Sequence, residues 1–150
     1  SRTSYYYLME AAAQKGVVFA GEPDGGYLFP PFGPVMDAMM STAKAMECIA
    51  VEGKPVSDYI EDLPRTVKFT QEVPCAWEMK GTLMRNLIED TTSEKRELID
   101  GVKIHRGGGS VMMLPDADKA CFHVTAEAGN EKEARDLVST YVDKIRGWLK

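Results

Sequence analysis

Apolar residues recur at helical spacing along the first part of the chain, and near residue 64 this pattern gives way to strict alternation. Residues 4–14 (SYYYLMEAAAQ) predict a helix capped by Thr3 or Ser4 and ended by Gly16. Val17 to Ala20 reads as a short buried strand, and Gly21-Glu22-Pro23-Asp24-Gly25-Gly26 after it is dense in turn formers. Tyr27 to Phe29 predicts a brief second strand, after which Pro30, Pro31 and Pro34 break the chain before the next helix. From Val35 to Val51, Met36, Met39, Met40, Ala43, Met46, Ile49 and Ala50 recur with helical period. This Met-rich stripe is read as a packed core face rather than a binding groove. Gly53 closes that helix, and Val56 to Leu63 predicts a short one with Ser57 as its cap and Pro64 as its end.

Beyond Pro64, Val67, Phe69, Gln71 and Val73 share one face of a strand and Lys68, Thr70 and Glu72 the other. Met79 to Asp90 predicts an amphipathic helix with Leu83, Met84, Leu87 and Ile88 on one side. A charged loop follows, then Asp100-Gly101 as a turn into Val102–Ile104, and Gly107-Gly108-Gly109 as a reversal into Ser110–Leu114, which together predict a β-hairpin. Ala120, Phe122, Val124 and Ala126 alternate with Cys121, His123, Thr125 and Glu127 as a third strand of that sheet. The last helix has Asn130 as its cap, Glu131 and Glu133 at its positive end, and Ala134, Leu137, Val138, Tyr141, Val142, Ile145 and Leu149 facing inward. Two domains result. Residues 1–64 are βα-like and carry too few strands for a sheet stable by itself. Residues 66–150 read β-α-β-β-β-α, with helices on one face of an antiparallel sheet. The fold class is α/β followed by α+β.

Composition narrows the classes of function. Hydrophobic residues at 44% and charged ones at 27% are ordinary for a globular protein. A net charge of -5 argues against nucleic acid as a partner. No apolar run approaches the roughly 20 residues of a membrane span, and no signal peptide opens the chain. Cys48, Cys75 and Cys121 are odd in number, widely spaced and set among apolar neighbours. They are read as reduced, buried thiols of a cytoplasmic protein rather than disulfides or zinc ligands. The start at Ser1-Arg2-Thr3, without methionine, predicts a piece of something longer.

Two loops could carry chemistry. In the first, the Glu22 carboxylate can accept two hydroxyl hydrogen bonds while Gly21 and Gly25 let a sugar ring approach the backbone. The alternative is an exposed turn with a solvated acid. In the second, Leu114-Pro115-Asp116-Ala117-Asp118-Lys119, two aspartates are too few for a divalent cation, and the loop is read as an acidic connection between strands. His105 lies near a hairpin turn and is read as exposed; His123 sits on the helix-free face without an evident partner. No triad, Walker loop, Rossmann fingerprint or CxxC is present. The residues alone assign no catalytic group and no metal site.

These loops, in this order, resemble domains 3 and 4 of the α-D-phosphohexomutase superfamily, the phosphomannomutase and phosphoglucomutase group. AGEPDGGYLFP at 20–30 stands where that family has a sugar-binding loop, G-E-x-S-G-H: Gly21, Glu22 and Gly25 match, with Asp24 and Gly26 in place of the serine and histidine. GKPVSDYIEDLP at 53–64 is similar to the end of domain 3, and FHVTAEAGNEKEARDLV at 122–138 to the last strand and helix of domain 4. The resemblance implies a partial domain 3 and a C-terminal domain 4 of TATA-box-binding-protein-like form. DGVKI at 100–104 and SVMMLP lead into the place of the family's phosphate loop, R-P-S-G-T-E-P. Here Leu114 replaces the arginine, Asp116 the serine, Ala117 the glycine, Asp118 the threonine and Lys119 the glutamate, with Pro115 between the first two. Two carboxylates repel a phosphate dianion, so this resemblance implies a phosphate site that is lost.

Family members also use a phosphoserine in domain 1 and Mg2+ on a D-x-D-x-D loop in domain 2, neither of which occurs here. The fragment is therefore expected to be non-catalytic alone, to need no cofactor itself, and to depend on upstream domains that hold Mg2+. LPDAD at 114–118 and VPCAWEMKGTLMRNLIED at 73–90 look like the tail of proteins fused to a mannose-1-phosphate guanylyltransferase-type nucleotidyltransferase. A sugar-phosphate binding or regulatory module of such a fusion is the leading expectation. The alternatives are the C-terminal part of a genuine phosphomannomutase or phosphoglucomutase, and a structural domain that makes homo-oligomer contacts.

Overall fold

The computed structural model describes residues 4–22, 25–61 and 63–149. Two compact units divide the chain, residues 1–64 and 65–150.

The first unit opens with α1 (Tyr5–Ala12). Ser4 has the extended backbone of an N-cap but makes no side-chain capping bond, and Thr3 lies outside the described residues. Three short strands, β1 (Ala20–Gly21), β2 (Tyr27–Phe29) and β3 (Gly33–Met36), form an antiparallel sheet in that order. Val17–Phe19 is not the buried strand expected: Val18 and Phe19 are exposed. β3 falls where prolines were read as a break. It is an edge strand, so the N–H that Pro34 lacks need not pair within the sheet.

A fifteen-residue helix, α2 (Ala38–Glu52), starts later than Val35, because the Asp37 carboxylate accepts the Met40 N–H at 2.8 Å and sets the cap. Its Met stripe is not a core face. Met39 is 82% exposed and Met46 66%, while Met36 and Met40 are half-buried. A helix of this length spans about 22 Å, and strands of two to four residues cannot cover it. Among the described hydrophobic residues of this unit, only Ala12 and Leu28 are buried. The unit ends with α3 (Val56–Glu61). Ser57 lies within its first turn and donates to Asp58 Oδ1 at 3.2 Å instead of capping it.

The second unit contains β4 (Val67–Pro74), α4 (Met79–Asp90), β5 (Arg96–Glu97), β6 (Val102–Arg106), β7 (Gly109–Pro115), β8 (Cys121–Ala128) and α5 (Glu131–Trp148). Its sheet is antiparallel throughout, in the order β4-β8-β7-β6-β5. β5 lies in the segment read as a charged loop; two charged residues carry no alternation to announce it. The β6–β7 turn places Gly107 and Gly108 at φ 59° and 87°, the left-handed pair that a two-residue hairpin loop requires.

Register lines up one apolar face. Val73 lies opposite Phe122, Met113 opposite Val124, and Ile104 opposite Val111. Leu83 and Leu87 of α4 and Ala134, Val138, Tyr141, Val142 and Ile145 of α5 join these residues in one buried cluster. Each fully buried leucine contributes about 1.5–3 kcal/mol of transfer free energy. The Asn130 side chain accepts the Glu133 N–H at 2.9 Å and caps α5 as the sequence predicts. Mixed α/β structure with helices on one face of an antiparallel sheet is thus the fold of the chain. The other face is polar, and there Thr70 and Thr125 share a hydroxyl hydrogen bond at 3.0 Å.

Candidate functional site

The two loops singled out in the sequence lie in different units. Gly21 ends β1, and the loop after it closes through backbone bonds: Glu22 N–H donates to the Gly26 carbonyl at 3.0 Å and Gly25 N–H to the Glu22 carbonyl at 3.1 Å. Glu22 Oε1 is buried and has no hydrogen-bond partner among the described residues. A buried carboxylate oxygen without a donor is costly, and it is well suited to accept one from a ligand hydroxyl. Gly26 makes room for it: a Cβ there would stand 2.7 Å from this oxygen and 2.5 Å from Met36 Cε. Asp24 lies outside the described residues.

The second loop connects β7 to β8. Leu114 and Pro115 end β7, and Asp116 returns its backbone N–H to the Cys121 carbonyl at 3.0 Å. The Asp116 side chain then turns into the loop. Its Oδ1 accepts the N–H groups of Asp118 and Lys119, both at 2.7 Å, and its Oδ2 lies 2.6 Å from His123 Nε2. The bond to His123, followed by the two amide bonds, holds the Asp116 carboxyl well below the usual carboxylate range. Lys80 from α4 reaches across and donates to the carbonyls of Asp116 (2.6 Å) and Lys119 (2.5 Å), with its ammonium over the Trp77 ring. Ala117, Asp118 and Lys119 are exposed.

Successive amides around a turn make an anion-binding concavity. In this loop the anion in it belongs to the chain itself. The Asp116 carboxylate occupies the two amide donors of this turn.

His123 has partners that its sequence position does not reveal, Asp116 on Nε2 and Glu72 Oε1 at 3.9 Å from Nδ1. Lys119 Nζ approaches the same Glu72 oxygen at 3.6 Å. Glu72, Lys80 and His123 were not among the predicted site residues. Alternation puts Glu72 and His123 on the outer face of their strands, but only the register makes them opposite each other. His105 bonds Glu97 Oε1 at 2.5 Å, which lowers the Glu97 carboxyl. It borders a cleft of about 510 Å3 at the hairpin end, lined by Lys95, Arg106, Ser110 and Glu127 among others and by none of the predicted loop residues. Of the three thiols, Cys75 and Cys121 are buried, but Cys48 is exposed because α2 has no buried side.

The family resemblance places Mg2+ on a D-x-D-x-D loop of an upstream domain, and the acidic pair of the 114–119 loop does not stand in for it. The sequence has no D-x-D-x-D run, and in Asp116-Ala117-Asp118 the first carboxylate is committed to His123 and two amides. Among the described residues, no helix is long and apolar enough to cross a membrane.

Residues 3–67 match the family model for phosphoglucomutase/phosphomannomutase, alpha/beta/alpha domain III. The chain is 29% identical over 143 residues to a probable phosphoglucosamine mutase of Methanopyrus kandleri, covering 93% of this chain and 31% of that protein. It is 30% identical over 146 residues to one of Methanosarcina barkeri, covering 97% and 32%. A phosphoglucosamine mutase of Methanocaldococcus jannaschii is 24% identical over 142 residues, covering 93% and 32%. The chain spans about a third of the length of the curated relatives it matches. The domain match in the first unit, together with similarity along nearly the whole chain, supports the phosphohexomutase superfamily as the group to which this protein is related.

Proposed function

We propose that the chain is part of a phosphohexomutase and contributes its sugar-recognition loop, with a hexose phosphate as ligand and an amino-hexose phosphate as the first candidate. The observation that carries this reading is Glu22 Oε1, buried without a partner among the described residues in a G-E-x-x-G loop inside the matched segment. Hexose hydroxyls are the donors such an oxygen lacks. Phosphoryl transfer, with its phosphoserine and Mg2+, belongs to other parts of the longer protein. The exposed Met39 and Met46 of α2 fit an interface with those parts. The relatives reported above are named mutases, which favours a mutase parent over a fused nucleotidyltransferase.

A second reading is favoured by the Asp116 carboxylate seated among the loop amides. In it the second unit does not hold the substrate phosphate, and the chain serves as a sugar-phosphate binding or regulatory module.

Calorimetric titration of the full parent protein with glucosamine, glucose and mannose 1-phosphates tests the ligand. One of them binds saturably, and Glu22→Gln weakens it by about 1–3 kcal/mol, the loss of a charged acceptor. Unchanged affinity in Glu22→Gln, or no binding of any of the three, overturns the reading.

A further inference from the structure

On the polar face of the second sheet, Glu72, Cys121 and His123 bring a carboxylate oxygen, a thiol sulfur and a ring nitrogen all within 4.8 Å of one another. The β4–β8 register produces this group. Glu72 lies directly opposite His123, and Cys121 precedes His123 by two residues, so that all three share one face. The three come from an exposed, a buried and a half-buried position, which leaves the group reachable from solvent while the sulfur is shielded.

His123 is oriented for ligation. Asp116 is an ionised acceptor whose other oxygen is held by two amides, so the ring donates Nε2–H to Asp116 Oδ2. Nδ1 then faces Glu72 Oε1 at 3.9 Å. In the neutral ring its lone pair and the carboxylate oxygen point at the same space, and a cation between them satisfies both. A carboxylate that fixes the tautomer and rotation of a histidine through its second nitrogen is the usual outer support of a metal-bound imidazole.

One further feature agrees. The Lys119 ammonium now stands 3.6 Å from Glu72 and is largely exposed, so it can swing into solvent when a stronger charge arrives.

We propose that Glu72, Cys121 and His123 form a three-ligand site for a borderline-soft divalent cation, with Zn2+ as its occupant and a water or an exogenous ligand in the fourth position. The mixed sulfur, nitrogen and oxygen set selects Zn2+ over Mg2+ or Ca2+, which require oxygen ligands. Binding joins the metal to sulfur as the thiol proton leaves to solvent. No redox step is involved. The inference is independent of the sugar-phosphate reading.

Titration of the whole chain with Zn2+, and with Co2+ as a spectroscopic substitute, tests it. One equivalent binds, protons are released, and Co2+ gives a thiolate-to-metal charge-transfer band. The band is lost in Cys121→Ser and kept in Cys75→Ser and Cys48→Ser, and saturable binding is lost in His123→Gln. Asp116→Asn weakens binding about tenfold to hundredfold, and Lys119→Met strengthens it. Absence of saturable Zn2+ and Co2+ binding, or a charge-transfer band that survives Cys121→Ser, overturns the proposal.

Discussion

Asp116 Oδ2 stands 2.6 Å from His123 Nε2, and the same carboxylate accepts the N–H groups of Asp118 and Lys119 through Oδ1. One side chain thus ties the β7–β8 connection to the strand that follows it. Each of these bonds is made to the ionised carboxylate, so the folded state holds Asp116 charged at a pH where an ordinary aspartate is protonated.

The sign of the resulting pH dependence follows directly. A carboxyl whose pKa is lowered by folding contributes stability that is present above its unfolded value, about 3.9. That contribution is lost as pH falls through the lower folded value. Carboxyl-carbon NMR is expected to place the Asp116 midpoint well below those of exposed aspartates, and His123→Ala to move it upward. An ordinary midpoint in the wild-type chain contradicts the hydrogen-bonding pattern described here.

Packing differs sharply between the units, and two substitutions measure the difference. Leu87 is fully buried between α4 and the sheet, so Leu87→Ala is expected to cost about 2–5 kcal/mol of the second unit's stability. Met46 is 66% exposed on α2, and Met46→Ala is expected to change stability by less than about 0.5 kcal/mol. Denaturant unfolding followed by circular dichroism checks both. A loss of core magnitude at Met46 means that the stripe is covered in solution.

The second unit was legible in the sequence because its elements are long and its periods clear. Val67–Val73 and Ala120–Glu127 alternate without interruption, and the last helix carries its own cap in Asn130. The first unit was harder. Val17–Phe19 has the composition of a buried strand but no surface to bury it, and the α2 stripe looks like a core face because periodicity records which side is apolar, not what covers it. The Glu22 loop was singled out by its glycines and its acid together with the family resemblance, but nothing local announced the buried, unpartnered Oε1. The neighbours of Asp116 were not, since the reach of Lys80 across 36 residues and the pairing of Glu72 with His123 are properties of register and packing. Asp116 itself was read as a repulsive charge. Its Oδ1 bonds to the amides two and three residues on are a local Asx-type pattern, whereas the seat of its Oδ2 on His123 depends on where the next strand runs.

The central claim is that the Asp116 carboxylate takes the place of phosphate in the 114–119 loop. Titration of inorganic phosphate while observing the backbone amide resonances of Asp118 and Lys119 tests it most directly. In the wild-type chain these resonances are expected to show no saturable shift, and Asp116→Ser, which frees both amides, is expected to introduce one. Saturable phosphate-dependent shifts at Asp118 and Lys119 in the wild-type chain would contradict the account.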